Sequence, residues 1–438
     1  MRDELQASDL AYLSDKGIDE EEARRQCALL SGPPPKVNVL RPCVPGDGIE
    51  RFSDGESSYY AGLYDAAKEK LSAIKFVPAS GSASRMFSAL HDRESTEYET
   101  FFKRMDEFAF YPLLRKAGKR NNEDLLAYLL EEGGLGYAHL PKGMIPFHRY
   151  GDQYRTAFEE HLFEAVAYAS DGVAARVHFT VSGQQRDRVE RHLADRSERV
   201  ATSSGIRIDI SLSEQLPSTD TLALDSRGRL LRNREGRLHL RPAGHGALLP
   251  NLHQLHADII FIKNIDNVRN SRQWNEMIRW KKALAGYLLK LKRELPDDRP
   301  IRVCGMVANE GEPGGGPFWV DGPEGESRQL VEKAQINRDD KAQRAVLERA
   351  THFNPVDLVC SITDRRGRVF DLNEFCDRKS WIISEKPGEE GNIRVLERPG
   401  LWNGCMAGWR TFFVEVPLLT FSPVKTVCDL LRQEHQNS

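Results

Sequence analysis

The apolar run Ile259-Ile-Phe-Ile262 ends abruptly in Lys263, Asn264, Asp266 and Asn267, and this pattern sets the reading of the middle of the chain. Short Ile/Phe runs predict buried strands of a parallel sheet, and one-sided apolar periodicity between them predicts covering helices. From about 140 to 300 the two alternate. The pattern predicts a helix over 156–169, a strand over 176–182, a helix over 184–195, a strand over 206–212, a hairpin region at 220–245, a strand over 258–263 and a helix over 271–293. Upstream, Ile74-Lys-Phe-Val77 predicts a strand feeding a turn of small residues. Residues 92–132 carry helical periodicity with Asn121 or Asn122 as a cap. Residues 1–72 read as a helical extension: Asp19 caps a helix that Gly32-Pro-Pro-Pro35 stops, an irregular stretch runs to Gly48, and a second helix covers Ser57 to Ser72.

Alternation of strands and helices predicts an α/β fold, a mostly parallel sheet with helices on both faces. The boundaries are a core over 73–300 with a helical insertion at 90–140, and a mixed α/β segment over 301–438 that completes the sheet. In that last segment short strands and Gly/Pro loops such as Gly311-Glu-Pro-Gly-Gly-Gly-Pro317 replace the alternation.

Composition narrows the picture by exclusion. At 438 residues and 40% hydrophobic the chain can bury a substantial core, and a net charge of -3 leaves no footprint for nucleic acid. Seven cysteines without a CxxC pair argue for reduced thiols in a cytosolic protein. The charged N-terminus excludes a secretory signal, and no apolar run approaches the roughly 20 residues of a membrane helix. The expectation is a soluble, cytoplasmic protein with no membrane partner. Its oligomeric state is not legible.

Candidate chemistry gathers in five places. Asp266 ends the buried strand where open α/β sheets bind ligands, although an aspartate there also serves as a cap or loop residue. In Ala79-Ser-Gly-Ser-Ala-Ser-Arg-Met86 small residues let backbone N–H groups approach a phosphate and Arg85 adds charge; a tight packed turn would use the same residues. Pro141-Lys142-Gly143-Met144 is a rigid turn presenting a lysine that could equally be a solvated charge. Gly244-His245-Gly246 lets backbone lie close to a planar ligand or simply closes a loop. Phe421-Ser-Pro-Val-Lys425 carries a second ambiguous lysine. No Ser/His/Asp or Cys/His nucleophile arrangement stands out, and no histidine pair has metal-site spacing.

Taken in order, these motifs resemble those of the UDP-sugar pyrophosphorylases, nucleotidyltransferases of GT-A-like, Rossmann-like fold. That family's (A/G)GGxGTRM turn is similar to Ala79–Met86, its PKG(M/L) turn to Pro141–Met144, and its GHG or GNGG base-binding turn to Gly244–Gly246. Its N(I/V)DN is similar to Asn264-Ile-Asp266-Asn267, and its RFxPVK followed by DLL to Phe421–Lys425 and Asp429-Leu-Leu431. Ser213-Glu-Gln215-Leu-Pro217 resembles the FxQxxxP segment near uracil, with shorter spacing. The resemblance spans about 74–431, and a bacterial family of unassigned function shares the motif set. Departures are Ser80 and Ala83 where the family prefers glycine, and the long insertion before Lys142.

The resemblance implies transfer of a nucleoside monophosphate, UMP from UTP by preference, to a sugar 1-phosphate, with release of pyrophosphate. It implies Mg2+ on Asp266, with Arg85, Lys142 and Lys425 on the phosphates and Lys263 as a helper. Ala79, Gly81, Gln215, Gly244, His245, Gly246 and Asn264 would frame the nucleotide within the 73–300 core. Glu310, Asn354 and Asn403 are expected at the acceptor, from their loop positions in an acceptor-side lobe. The competing expectations are a non-catalytic nucleotide- or sugar-nucleotide-binding protein and a metal-dependent GT-A glycosyltransferase.

Overall fold

Nine strands form the central sheet in the computed structural model, which describes residues 5–118, 121–322, 325–388 and 391–436. Their order is Val44–Pro45, Gly48–Glu50, Arg410–Glu415, Ile301–Met306, Asp357–Ser361, Ile259–Ile262, Ala73–Pro78, Ala174–Val181 and Arg207–Glu214. From Gly48–Glu50 onward, neighbours are parallel except Asp357–Ser361, which is antiparallel to both of its partners. The fold is therefore α/β with a mostly parallel sheet.

Alternation along each strand divides the core in two. Val77, Phe261, Val303 and Val359 face one layer, where Ala157–Tyr168, Arg186–Ser204, Trp274–Glu294 and Asp54–Ala67 supply the covering helices. Phe76, Ile260, Ile262, Cys304 and Leu358 face the other. That layer is closed by the short helix Leu249–His253 and by turns carrying Leu372, Leu401, Met406 and Trp409. Strands buried on both faces explain the unbroken apolar run at 259–262.

Two expectations need correction. The stretch to Gly48 is not irregular: Val39–Pro42 pairs antiparallel with Gly316–Gly322, and Gly48–Glu50 pairs with Arg410–Glu415. These strands are made by partners hundreds of residues away, which local propensity cannot foresee. The helix predicted over 184–195 runs Arg186–Ser204 and stops at Gly205, whose φ of 72° is the left-handed conformation of a helix end. The 90–140 insertion is broken into Thr96–Lys103, Tyr111–Leu114 and Asn122–Leu130, with Asn121 capping the last through Asp124 N–H.

Parallel pairing brings the C-terminal ends of Ala73–Pro78, Ala174–Val181, Arg207–Glu214 and Ile259–Ile262 to one edge of the sheet. Crevices outside such ends are where open α/β sheets place ligands.

Candidate functional site

The turn after Ile259–Ile262 is held from four sides. Asn267 N–H closes it on Asn264 O at 3.1 Å, and His161 Nε2–H donates to Ile265 O at 3.2 Å. The Asn267 side chain donates to Val356 O at 3.1 Å and accepts from Ser422 N–H at 2.9 Å. Val424 N–H donates to Asp266 O at 3.0 Å. The segment carrying Lys425 is thus bonded to the turn carrying Asp266, though they are far apart in sequence.

Two lysines converge on one carboxylate oxygen. Lys142 Nζ and Lys425 Nζ each lie 3.1 Å from Asp266 Oδ2. Asp266 is 13% exposed and Lys425 64%, so the cluster sits at the mouth of the edge and not within the core. Burial pushes the Asp266 carboxyl up, but Lys142 and Lys425 outweigh it and hold the group below its usual range. Burial likewise pushes the Lys142 ammonium down, partly offset by Asp266. Asp429 fixes the backbone of the second lysine by accepting from Lys425 N–H at 2.7 Å and Thr426 N–H at 2.8 Å.

The first turn is clasped to the lysine turn. Lys142 N–H donates to Gly81 O at 3.1 Å and Ala83 N–H to Leu140 O at 2.9 Å. Gly143 must be glycine because a Cβ would meet the Phe158 ring at 2.5 Å. Gly81 differs: a Cβ there would meet nothing within 4 Å, so no packing demands it. Ala79 N–H is taken by Thr180 O, while among the described residues the N–H groups of Ser80, Gly81 and Ser82 donate to no protein acceptor. Consecutive amides left without protein acceptors are donors of the kind that can receive an anion. Buried Ala83 is packed into this turn, and the exposed Arg85 side chain has no bonded partner among the described residues.

Other expected residues fall elsewhere. Lys263 belongs to a different cluster: its ammonium bonds Glu164 at 2.7 and 3.0 Å, and the side chain is 2% exposed. Successive side chains at a strand end point to opposite faces, which sends Lys263 under the helices and away from the edge. Asn264 lends its carbonyl to the turn. Gln215, at the end of Arg207–Glu214, donates to Asp220 at 3.1 Å. The Gly244–Gly246 turn is tied to the same strand end, because Asn251 in the helix after it donates to Ser213 Oγ and Glu214 O. His245 Nδ1 accepts from Leu401 N–H at 2.9 Å and the ring stacks on Trp402 at 4.2 Å. Gly246 has an internal reason to be glycine, since a Cβ would lie 1.9 Å from Pro399 O.

Of the three acceptor residues, Glu310 is exposed in a loop, with its own N–H on Glu312. Asn354 and Asn403 come together on a residue that the sequence reading missed, Glu332. Asn354 Nδ2 donates to Glu332 Oε1 at 3.0 Å, and Asn403, whose Nδ2 donates to Leu330 O at 3.0 Å, lies beside the same carboxyl, which burial pushes up. Asn354 Oδ1 and Asn403 Oδ1 are buried without a protein partner. This polar cluster adjoins the Asp266 turn through Val356, which accepts from Asn267, and through the Phe353–Phe421 ring contact at 5.6 Å. Nothing in the local sequence marks Glu332; His161 and Asn267, which hold the Asp266 turn, were legible only as a helix residue and a motif letter.

The family described as Domain of unknown function (DUF4301) matches residues 6–297 and 295–436. The chain belongs to that family. No curated protein matches it. Among solved structures it is similar to the uridine diphosphate N-acetylglucosamine pyrophosphorylase of Trypanosoma brucei, with a TM-score of 0.54 at 15% identity over 98% of this chain and 79% of that one. A UDP-glucose pyrophosphorylase of Leishmania major in complex with UDP-glucose gives a TM-score of 0.51 at 14% identity, covering 98% and 79%. At these identities the likeness is one of fold: this DUF4301 chain shares the α/β fold of those two structures. Among the described residues no helix is long and apolar enough to cross a membrane.

Proposed function

We propose that the protein is a nucleotidyltransferase that moves a nucleoside monophosphate, UMP from UTP by preference, onto a sugar 1-phosphate and releases pyrophosphate. The observation that carries this reading is the meeting of Lys142 and Lys425 on Asp266 Oδ2 beside the unused amides of Ser80, Gly81 and Ser82. The acceptor's phosphate oxygen would attack the α-phosphorus while charge spreads over the non-bridging oxygens. Catalysis then consists of positioning and fixed positive charge, with no protein nucleophile required. The three amides and Arg85 would hold the triphosphate, and Lys142 and Lys425 would stabilise the charge developing at the α-phosphate. Glu332, Asn354 and Asn403 would meet acceptor hydroxyls, since they present a carboxylate and two carbonyl oxygens without protein donors.

The donor set at Asp266 fits Mg2+ brought by the nucleotide. It offers one carboxylate, and among the described residues no group of three His, Cys, Asp or Glu could hold a metal by itself. A hard cation that shares its shell with phosphate oxygens and water needs no more. When bound, Mg2+ would neutralise phosphate charge beside Asp266. Pyrophosphate detection with UTP, other nucleoside triphosphates and a panel of sugar 1-phosphates in Mg2+ tests the reaction. Turnover that Asp266→Ala lowers by about 10²–10³ supports it, the usual loss on removing a group aimed at the transition state. Glycosyl transfer without pyrophosphate, or nucleotide binding without turnover on any acceptor, defeats it.

A further inference from the structure

Two cysteines lie together on the far side of the Gly244–Gly246 turn, in neither the phosphate-facing edge nor the acceptor cluster. Cys376 follows the turn Leu372–Phe375, and Cys405 lies in Gly404–Met406. Their backbones are latched: Asp377 N–H donates to Gly404 O at 2.8 Å and Gly408 N–H to Phe375 O at 2.9 Å. This latching sets Cys376 opposite Cys405. Cys405 Sγ donates to Pro399 O at 2.9 Å and reaches Gly246 O at 3.7 Å. Both cysteines line a cavity of about 320 Å³ bounded in addition by Glu22, Trp381 and Arg398, which gives a small reagent a route to them.

The pair differs from the other cysteines. Burial pushes the thiols of Cys27, Cys43, Cys304, Cys360 and Cys428 up, which makes them poor nucleophiles. Cys376 goes the other way: the adjoining Cys405 thiol lowers it, against the effect of burial. A half-buried, thiolate-prone cysteine beside a resolving thiol is the arrangement of a redox-responsive site.

We propose that Cys376 and Cys405 form a reversible disulfide when the protein meets hydrogen peroxide, and that this bond stiffens the Pro399–Met406 loop against the Gly244–Gly246 turn. The Cys376 thiolate attacks one peroxide oxygen; an S–O bond forms, the O–O bond breaks, and hydroxide leaves as water after taking a proton. Cys405 sulfur then attacks the Cys376 sulfenic acid; the S–S bond forms, the S–O bond breaks, and the second hydroxide leaves as water with the Cys405 proton. The dithiol loses two electrons and two protons, and the peroxide becomes two waters. The loop matters because Leu401 N–H holds His245 and the loop carries Asn403. The chemistry does not depend on nucleotidyl transfer.

The test treats the full chain with a small molar excess of hydrogen peroxide and follows intact mass and non-reduced peptide maps. The expected result is a loss of two hydrogens, a cross-linked peptide pair containing Cys376 and Cys405, and reversal by dithiothreitol. Cys405→Ser should leave Cys376 as a trappable sulfenic acid that goes on to sulfinic acid, and Cys376→Ser should leave Cys405 unmodified. Absence of the cross-linked pair, or sulfinic acid at Cys376 forming as fast in the wild type as in Cys405→Ser, overturns the site. Amide hydrogen exchange reads the second part: it should slow across Pro399–Met406 in the oxidised form, and unchanged exchange there overturns the stiffening.

Discussion

The chain builds two clusters of lysines and carboxylates from one strand end, and they do opposite things. At the edge, Lys142 and Lys425 share Asp266, leaving surplus positive charge open to solvent. Under the helices, Lys75, Lys263 and Lys281 face Glu164 and Asp357, and all five are at most 4% exposed. Glu164 joins two of these lysines, at 2.7 Å from Lys75 and 2.7 Å from Lys263, and is held well below its ordinary value although burial pushes the other way. Burial drives Lys281 well below its ordinary value and Lys75 down to about 7, so the sealed environment opposes the surplus positive charge. The edge cluster can meet its surplus with an anion; the sealed one cannot. Access, and not charge type, separates the proposed ligand site from a structural network.

The largest effect expected from breaking this comparison is on the sealed side. Glu164→Ala strands Lys75 and Lys263 without their carboxylate, and losing one partner of a buried ion pair costs about 3–5 kcal/mol. Urea unfolding followed by tryptophan fluorescence should show a loss of that order; a loss below about 1 kcal/mol would mean that water already reaches the cluster. At the edge the same kind of substitution should spare the fold. Asp266→Ala is expected to leave the urea midpoint near wild type while turnover in the pyrophosphate assay falls by about 10²–10³, equivalent to about 2.7–4 kcal/mol. Lys263→Met sharpens the contrast: turnover should persist, because Lys263 bonds Glu164 and not Asp266, and a turnover loss matching that of Lys425→Met would return Lys263 to the site.

Acid should separate the two regions as well. His161 touches both, donating to Ile265 O in the Asp266 turn while burial, then Lys75, keeps it neutral far below 6.5. Between that lowered value and 6.5 the unfolded chain binds a proton that the native state refuses. Stability therefore falls as pH drops below 6.5, by up to about 1.4 kcal/mol per pH unit for each such histidine. His178 and His192, pushed to about 4 by burial, add to the same window. Lys75 acts higher: between about 7 and 10.5 only the unfolded chain holds its proton, so stability rises with pH there. Urea midpoints from pH 5 to 9 should climb, and a maximum near pH 6 would contradict the buried neutral groups.

These two regions also show where sequence reading reaches its limit. The strand at 259–262 was legible because it is buried on both faces and unbroken in apolar residues, and that at 207–214 because Ile208, Ile210 and Leu212 alternate with polar residues along a half-buried edge. The meeting of the 79–86, 141–144, 264–267 and 421–425 motifs was suggested by their order in a resemblance; backbone bonds join the first to the second and the third to the fourth, and the Lys142–Asp266 ion pair links the two pairs. Lys263 was misread because adjacency in sequence is not adjacency in space at a strand end. Glu332 was missed for the converse reason: its partners Asn354 and Asn403 reach it from distant loops. The short strands Val39–Pro42 and Gly48–Glu50 are tied into sheets by partners beyond residue 300.

The smallest expected effect lies in the turn that aims Lys425. Asp429 accepts from Lys425 N–H and Thr426 N–H and forms a reciprocal capping box with Thr426. Asp429→Ala removes both acceptors, and loss of such a cap costs about 0.5–2 kcal/mol. Asp429 also pairs with Arg432 at 2.7 Å, but Arg432 is 54% exposed, so that pair adds little. If Asp429 acts by positioning Lys425, the variant should lose turnover beyond its modest loss of stability, with nucleotide binding weakened less than turnover. Asp429→Asn keeps one side-chain oxygen for the two amides and should recover part of the rate. A variant whose turnover tracks only its folded fraction would show that Lys425 finds Asp266 without help, through the Val424 N–H bond to the Asp266 carbonyl alone.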